Sequence, residues 1–202
     1  MGTIDLKRVY KEQYTAGAGK PALVTVPERP FLMIDGEGDP NTVQEYVDAI
    51  EALYPIAYAI RAEIKKATGD GYTVLPLEGL WWADDMESFS AERKHDWMWT
   101  MMIGLPELLT PAQALEAIRA TTTVKGLVAG ERVRYERYDE GPSAQVMHVG
   151  PYSEEAPTID LLHEFIDEQG LQLRGLHHEI YLGDPRKTDP ARLRTIIRQP
   201  VA

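Results

Sequence analysis

Glu179 stands in the run HHEIYL among bulky neighbours, where the period of two in a strand places Glu179 and Tyr181 on one face. A carboxylate held beside aromatic rings in a water-poor groove has its charged form disfavoured. Such a group either works as a general acid or base, or waits for a cationic ligand to supply the missing charge. Glu78, in PLEGLWW, is its rough counterpart earlier in the chain, with Trp81 and Trp82 close behind. Period two sets Glu78, Leu80 and Trp82 on one face and Trp81 on the other. Two adjacent tryptophans cannot both be core unless the sheet is covered on both sides, so at least one is expected to line a groove. Trp97 and Trp99 share a face of their strand and offer either core packing or a platform for flat and cationic molecules. Tyr46, Tyr54 and Tyr58 fall on one helical stripe, where buried hydroxyls would need partners. Met86, Met98, Met101 and Met102 read as core filler.

Other chemistries are excluded by what is missing or misplaced. The chain has no cysteine, which removes thiolate nucleophiles, thiolate metal sites and disulfides. His177 and His178 are adjacent and point to opposite faces of a strand, while His95, His148 and His163 show no ligand spacing, so no metal or cofactor is expected. GAGK at residues 17–20 lacks the first glycine of a phosphate-binding loop, having Tyr14 there, and has Pro21 where that loop carries Ser or Thr. DGEGD at 35–39 is followed by Pro40 where a calcium loop requires glycine. With no GxSxG elbow, carboxylate-assisted attack by water is the hydrolytic route left, alongside a Ser or Thr nucleophile that shows no partner.

Of 202 residues, 44% are hydrophobic and 26% charged, and the net charge is −11. That is a globular composition with an acidic surface, which argues against direct nucleic-acid binding. No apolar run could serve as a signal peptide or bilayer span, so a cytoplasmic protein without membrane contact is expected. Oligomeric state leaves no trace in the sequence.

The elements that must position these residues follow from punctuation and periodicity. Residues 1–20 read as a polar arm; ALVTVPERPFLMIDGEGDP gives two strand-like runs closed by glycines. A helix is expected from Asn41 as N-cap to near Gly69, kinked or restarted at Pro55. YTVLPLEGLWW and RKHDWMWTMMIGLP are strands, with a polar loop around Asp84 to Arg93 between them. Thr110 and Pro111 open a helix that runs to about Thr121. ERVRYERYDEG and SAQVMHVGPY read as a strand pair turning at Gly141 and Pro142. A further helix in SEEAPTIDLLHEFIDEQG turns Ile159, Leu162 and Ile166 inward and stops at Gly170. LRGLHHEIYL and RLRTIIRQPV complete the strands.

The second half repeats the first. MIDGEGDP matches VMHVGPY, PLEGLWWADD matches LHHEIYLGDP, and TMMIGLP matches RTIIRQP. The expected architecture is α+β: a duplicated strand-helix-strand-strand module with an antiparallel curved sheet, helices on one face and a central ligand cleft. It is one domain over 1–202, with the arm at 1–20, a first repeat at 21–106, a connecting helix at 107–130 and a second repeat at 131–202. Equivalent strands should meet and bring PLEGLWW and HHEIYL together, which makes them the default site.

DLKRVYKEQY, FLMIDGEGDPN, EYVDAIEALYPIAYAIRAEIK, PLEGLWW, WMWTMMIGLP, HVGPY, HHEIYLGDP and RTIIRQPV, in that order, resemble the GyrI-like small-molecule-binding family in its stand-alone form. The resemblance covers almost the whole chain. It implies a cleft like that of the effector domains of multidrug-binding transcription regulators, where a buried glutamate, here Glu179, and aromatics hold flat or cationic drugs. Some stand-alone members are cyclopropanoid cyclopropyl hydrolases, and this similarity implies ring opening of a cyclopropane-bearing genotoxin by water. On that reading Glu179 is the base and Tyr181 or Tyr54 the hydroxyl donor. Tyr46, Trp81, Trp82 and Trp99 are stacking walls, with Glu78 and His178 among the ligand contacts. The alternatives left open are a non-catalytic drug-binding or sensing module and a protein that docks on another protein, as a gyrase inhibitor would.

Overall fold

The structure is a computed structural model that describes residues 2–84 and 93–202. The expected loop between Asp84 and Arg93, and Met86 with it, lies almost wholly outside them. The chain separates into two compact units. The first takes Met1–Val9, Arg29–Leu75 and Trp82–Tyr138, the second Tyr10–Glu28, Pro76–Trp81 and Asp139–Ala202.

In the first unit, β1 (Thr3–Ile4) pairs in parallel with β4 (Gly71–Tyr72), and α1 (Leu6–Val9) follows β1. Strand β3 (Arg29–Glu37) lies antiparallel between β6 (Met98–Gly104) and β7 (Arg134–Tyr138). Helix α2 (Gln44–Thr68) buries Ala49, Ala52, Leu53, Ile56, Ala57, Ile60 and Ile64. It continues through Pro55 without a break, because proline forfeits one backbone donor while this long apolar stripe stays packed. Its N-terminus differs from the expectation at Asn41. Asp39 accepts from the Asn41 backbone N–H in a local turn, and the helix starts at Gln44. Gly69, at φ 82°, ends it as the left-handed cap that glycine adopts without a steric penalty. Helix α3 (Pro111–Lys125) begins with the Thr110–Gln113 capping box and runs past Thr121 to Gly126.

In the second unit five antiparallel strands stand in the order β2 (Ala22–Val26), β8 (Gly141–Val149), β10 (Arg194–Pro200), β9 (His177–Tyr181), β5 (Leu77–Trp82). The expected hairpin over Gly141 and Pro142 is not formed: β7 pairs with β3, while β8 pairs with β2 and β10. Glu140, just before β8, is buried in a charge cluster, and that anchors the chain beside the expected turn. Helix α4 (Ala156–Glu168) covers one face of these strands, with Leu162 and Ile166 packed on Ala144, Val146, Ile197 and Val201.

The repeat is visible in each unit by itself. Strand β3, α2 and β6 are matched by β8, α4 and β10, with the first strand antiparallel to the last in both. The third elements, β5 and β9, pair with each other and so bring PLEGLWW and HHEIYL together as the duplication requires.

Candidate functional site

Register decides which residues of β5, β9 and β10 can act together, since directly opposed residues in an antiparallel pair share a face. Gly79 stands opposite Glu179, and Trp81 opposite His177. Thr195 and Ile197 of β10 stand opposite Tyr181 and Glu179. These residues form the face that α4 covers. Glu78, Leu80, His178 and Ile180 form the other. The repeat counterpart of Glu179 is therefore Gly79, not Glu78, and the gapless match of PLEGLWWADD to LHHEIYLGDP gives the same pairing.

On the α4 face the side chains form a chain of donors. Trp81 Nε1–H donates to Tyr181 Oη at 2.9 Å, and Tyr181 O–H donates to Glu179 Oε2 at 2.7 Å. His177 Nε2 lies 3.1 Å from Glu179 Oε1. An ionised carboxylate only accepts, so that nitrogen carries a hydrogen. Glu179 keeps 15% of its side-chain exposure, against 5% for His177, so the carboxylate is shielded but reachable. The exposed Tyr152 packs edge-on against Tyr181 at 5.6 Å between centroids. His163 of α4 sits near His177; burial first, then that neighbour, hold its imidazole below the ordinary histidine range. Its Nε2 is buried with no hydrogen-bond partner among the described residues.

On the opposite face lies a sealed network. Tyr14 O–H donates to Glu78 Oε1 at 2.5 Å, and Glu78 Oε2 lies 3.1 Å from His178 Nε2. His178 Nδ1 is 2.8 Å from Glu140 Oε1, and Arg198 Nη1 donates to Glu140 Oε2 at 2.9 Å. Arg198 also reaches Gln145 Oε1 at 3.0 Å and 2.9 Å, and donates to the Gln13 carbonyl at 2.5 Å. Burial alone would push His178 down, but the Glu140 and Glu78 carboxylates outweigh it and hold the imidazole above its ordinary value. Burial likewise opposes the charge of Glu140, yet His178 and Arg198 bring its carboxyl down to about 2. With His178 protonated, two carboxylates face two cations and the cluster is neutral.

The placement of the expected residues follows. Glu179, Tyr181 and Trp81 are brought into one constellation. Glu78 and His178, expected to contact ligand, are at most 1% exposed and lie 3.1 Å apart inside the protein, a placement that supports a structural role. In the first unit Tyr46 packs edge-on against Trp99 at 5.3 Å, and Trp99 is fully buried. Gly36 stands directly opposite it, and a Cβ there would come within 2.1 Å of the indole ring. Tyr54 is half-buried. Tyr58 is 56% exposed, so the tyrosine stripe is not buried throughout. Trp82 lines a cavity of about 380 Å³ with Asp35, Gly36, Glu37, Glu45, Met98 and Arg132. A larger cleft of about 690 Å³, lined by Lys187, Arg192 and Arg194 among others, lies at the Leu182–Arg194 end of the second unit. Its lining offers no base with an aromatic neighbour, so chemistry and not volume marks Glu179. His177, Glu140, Arg198 and Tyr14 were missed. For His177 the signal was present, because period two sets it on the face of Glu179.

Among the described residues no group of three His, Asp or Glu is arranged to hold a metal, and no helix is long and apolar enough to cross a membrane. The fold is α+β and duplicated, and β9 carries a shielded carboxylate held between an imidazole and an aromatic hydroxyl. The chain belongs to the GyrI-like small molecule binding domain family, matched over residues 19–202. No curated protein matches it. Among solved structures it is similar to an uncharacterized conserved protein from Listeria innocua, at 38% identity and TM-score 0.91 over 99% of this chain and 100% of that one. It is also similar to a hydrolase from Listeria innocua, at 37% identity and TM-score 0.87 over 99% and 100%. The EcmrR C-terminal domain, 16% identical with TM-score 0.54 over 91% and 97%, shares the fold.

Proposed function

We propose that this protein binds flat aromatic small molecules beside Glu179 and hydrolyses a strained electrophile of the cyclopropane-bearing genotoxin class, protecting the cell that makes it. The observation that carries this reading is the ordered chain from Trp81 through Tyr181 to Glu179, with donors at 2.9 Å and 2.7 Å. A merely solvating carboxylate needs no such orientation. The similarity to a hydrolase at 37% identity supports it.

In the reaction, a water oxygen attacks the methylene carbon of a spirocyclopropane conjugated to a dienone. The strained carbon–carbon bond breaks, its electron pair enters the ring as a phenolate, and Glu179 takes the proton of the attacking water. The phenolate is then protonated, so the balance is addition of one water. Tyr181 O–H donates a hydrogen bond to Glu179 and keeps its proton throughout, and Trp81 holds the phenol in that orientation. Tyr181 accordingly positions the base, whereas the sequence cast it as a donor to substrate. Tyr46, Tyr54, Trp82 and Trp99 enter the proposal as residues whose substitution reads out ligand contact.

The test is turnover of a cyclopropane-bearing DNA alkylator followed by mass spectrometry. A general base contributes about 10²- to 10⁴-fold, and Glu179→Gln is expected to lose that factor while still binding a neutral flat ligand. Binding by the wild type with no hydrated product would leave a non-catalytic binding module.

A further inference from the structure

Both oxygens of Glu179 are already engaged within the protein: Oε2 accepts from Tyr181 at 2.7 Å and Oε1 faces His177 Nε2 at 3.1 Å. His177 is 4% exposed. A cation that comes into contact with Oε1 shares the carboxylate's charge with this N–H and gains less there than at a bare carboxylate, and displacing the N–H altogether leaves a buried donor unsatisfied. A neutral aromatic ligand carries no charge that competes for Oε1 and leaves the pair intact. Each carboxylate oxygen has a second lone pair, so a water molecule still finds an acceptor on Glu179 while His177 and Tyr181 stay bound. The neighbouring imidazole of His163 is pushed below its ordinary value by burial first and then by His177.

We propose that His177 is a specificity-determining, positioning residue: by occupying Oε1 of Glu179 it biases the site toward neutral aromatic ligands over cationic ones of the same shape. This rests on the reading of Glu179 as the carboxylate that faces the ligand. The consequence is a division of labour around one carboxylate, in which Tyr181 orients the oxygen on one side and His177 closes the other to cations.

The probes are N-methylacridone, neutral, and N-methylacridinium, a cation of nearly the same outline, with affinities measured by fluorescence titration. The wild type is expected to bind the neutral probe at least as tightly as the cation. His177→Leu removes the donor, and the affinity ratio should move about tenfold toward the cation. His177→Gln, which returns an N–H at similar reach, should restore the wild-type ratio. An unchanged ratio in His177→Leu, or the same change in both variants, overturns the proposal. Should His177→Leu not fold, His177→Asn, too short to reach Oε1, is read against the same expectation. Glu179→Gln separates the two levels of inference. If it binds both probes as the wild type does, or if the wild type binds neither, the assignment of Glu179 as the ligand-facing carboxylate is wrong. If Glu179→Gln loses the cation while His177→Leu leaves the ratio unchanged, only the role of His177 falls.

Discussion

The two faces of strand β9 carry nearly the same chemistry to different ends. One face has His178 with Glu78, Glu140 and Tyr14; the other has His177 with Glu179, Tyr181 and Trp81. Both sets contain histidine, glutamate and an aromatic hydroxyl. The difference is Arg198, which is 1% exposed and supplies a permanent charge to the first set only. There a full complement of cations and anions has been taken out of water together, and every member depends on its partners. The Glu179 face has one carboxylate, donors on both of its oxygens and residual exposure. It can accept a visitor without rebuilding its charge balance. Residue type therefore does not distinguish the two faces; pairing and access do.

Substitutions on each face test whether the faces are as separate as this comparison holds. Arg198→Met leaves the buried carboxylates of Glu78 and Glu140 to share His178 as their cation and is expected to cost about 3–5 kcal/mol of stability in chemical denaturation. Turnover per folded molecule should change little. A folded Arg198→Met protein that had lost turnover would show that the faces are coupled.

The pH dependence of stability should carry the signature of the sealed face. Glu140 titrates at about 2 in the folded state against about 4.5 unfolded, so its contribution is present above about pH 4.5 and is lost as pH falls toward 2. His178 is raised above its ordinary value of 6.5. Its contribution is full below pH 6.5 and is lost as pH rises through the folded-state value. Denaturation curves across pH should therefore fall off on both sides, and His178→Gln should remove the alkaline decline. A decline unchanged in that variant would mean that His178 is neutral in the fold.

The smallest effect expected is on the open face. Tyr181→Phe removes one of the two donors to Glu179 and should lower kcat about tenfold with little change in melting temperature, since a hydrogen bond to a charged group is worth about 1.5–3 kcal/mol. A loss as large as that of Glu179→Gln would promote Tyr181 from positioning residue to direct participant.

Much of this was legible in the chain. The duplication, the Thr110–Pro111 helix start, the glycine stops at Gly69 and Gly170, and the meeting of PLEGLWW with HHEIYL all rest on local signals that the fold obeys. The common face of Glu179 and Tyr181 followed from period two alone. The false hairpin at Gly141–Pro142 came from the local turn signal of those two residues, whereas partners 38 and 58 positions away draw the adjacent Glu140 inward. Glu78 was read as the rough counterpart of Glu179 in the repeat. One residue of register reverses that, because in a strand a shift of one changes the face.

By itself the sequence determined the repeat and the class of fold, because those depend on periodicity and spacing, which are properties of order along the chain, and its motifs in their order carried the resemblance to the family. Only the tertiary structure decided that Glu78 and His178 are spent on a buried ion network, and that His177 and Tyr181 hold Glu179 from both sides. The physical reason is that the state of a charge is set by what surrounds it in three dimensions, and the residues that surround these two glutamates come from β5, β9, β10 and the N-terminal arm.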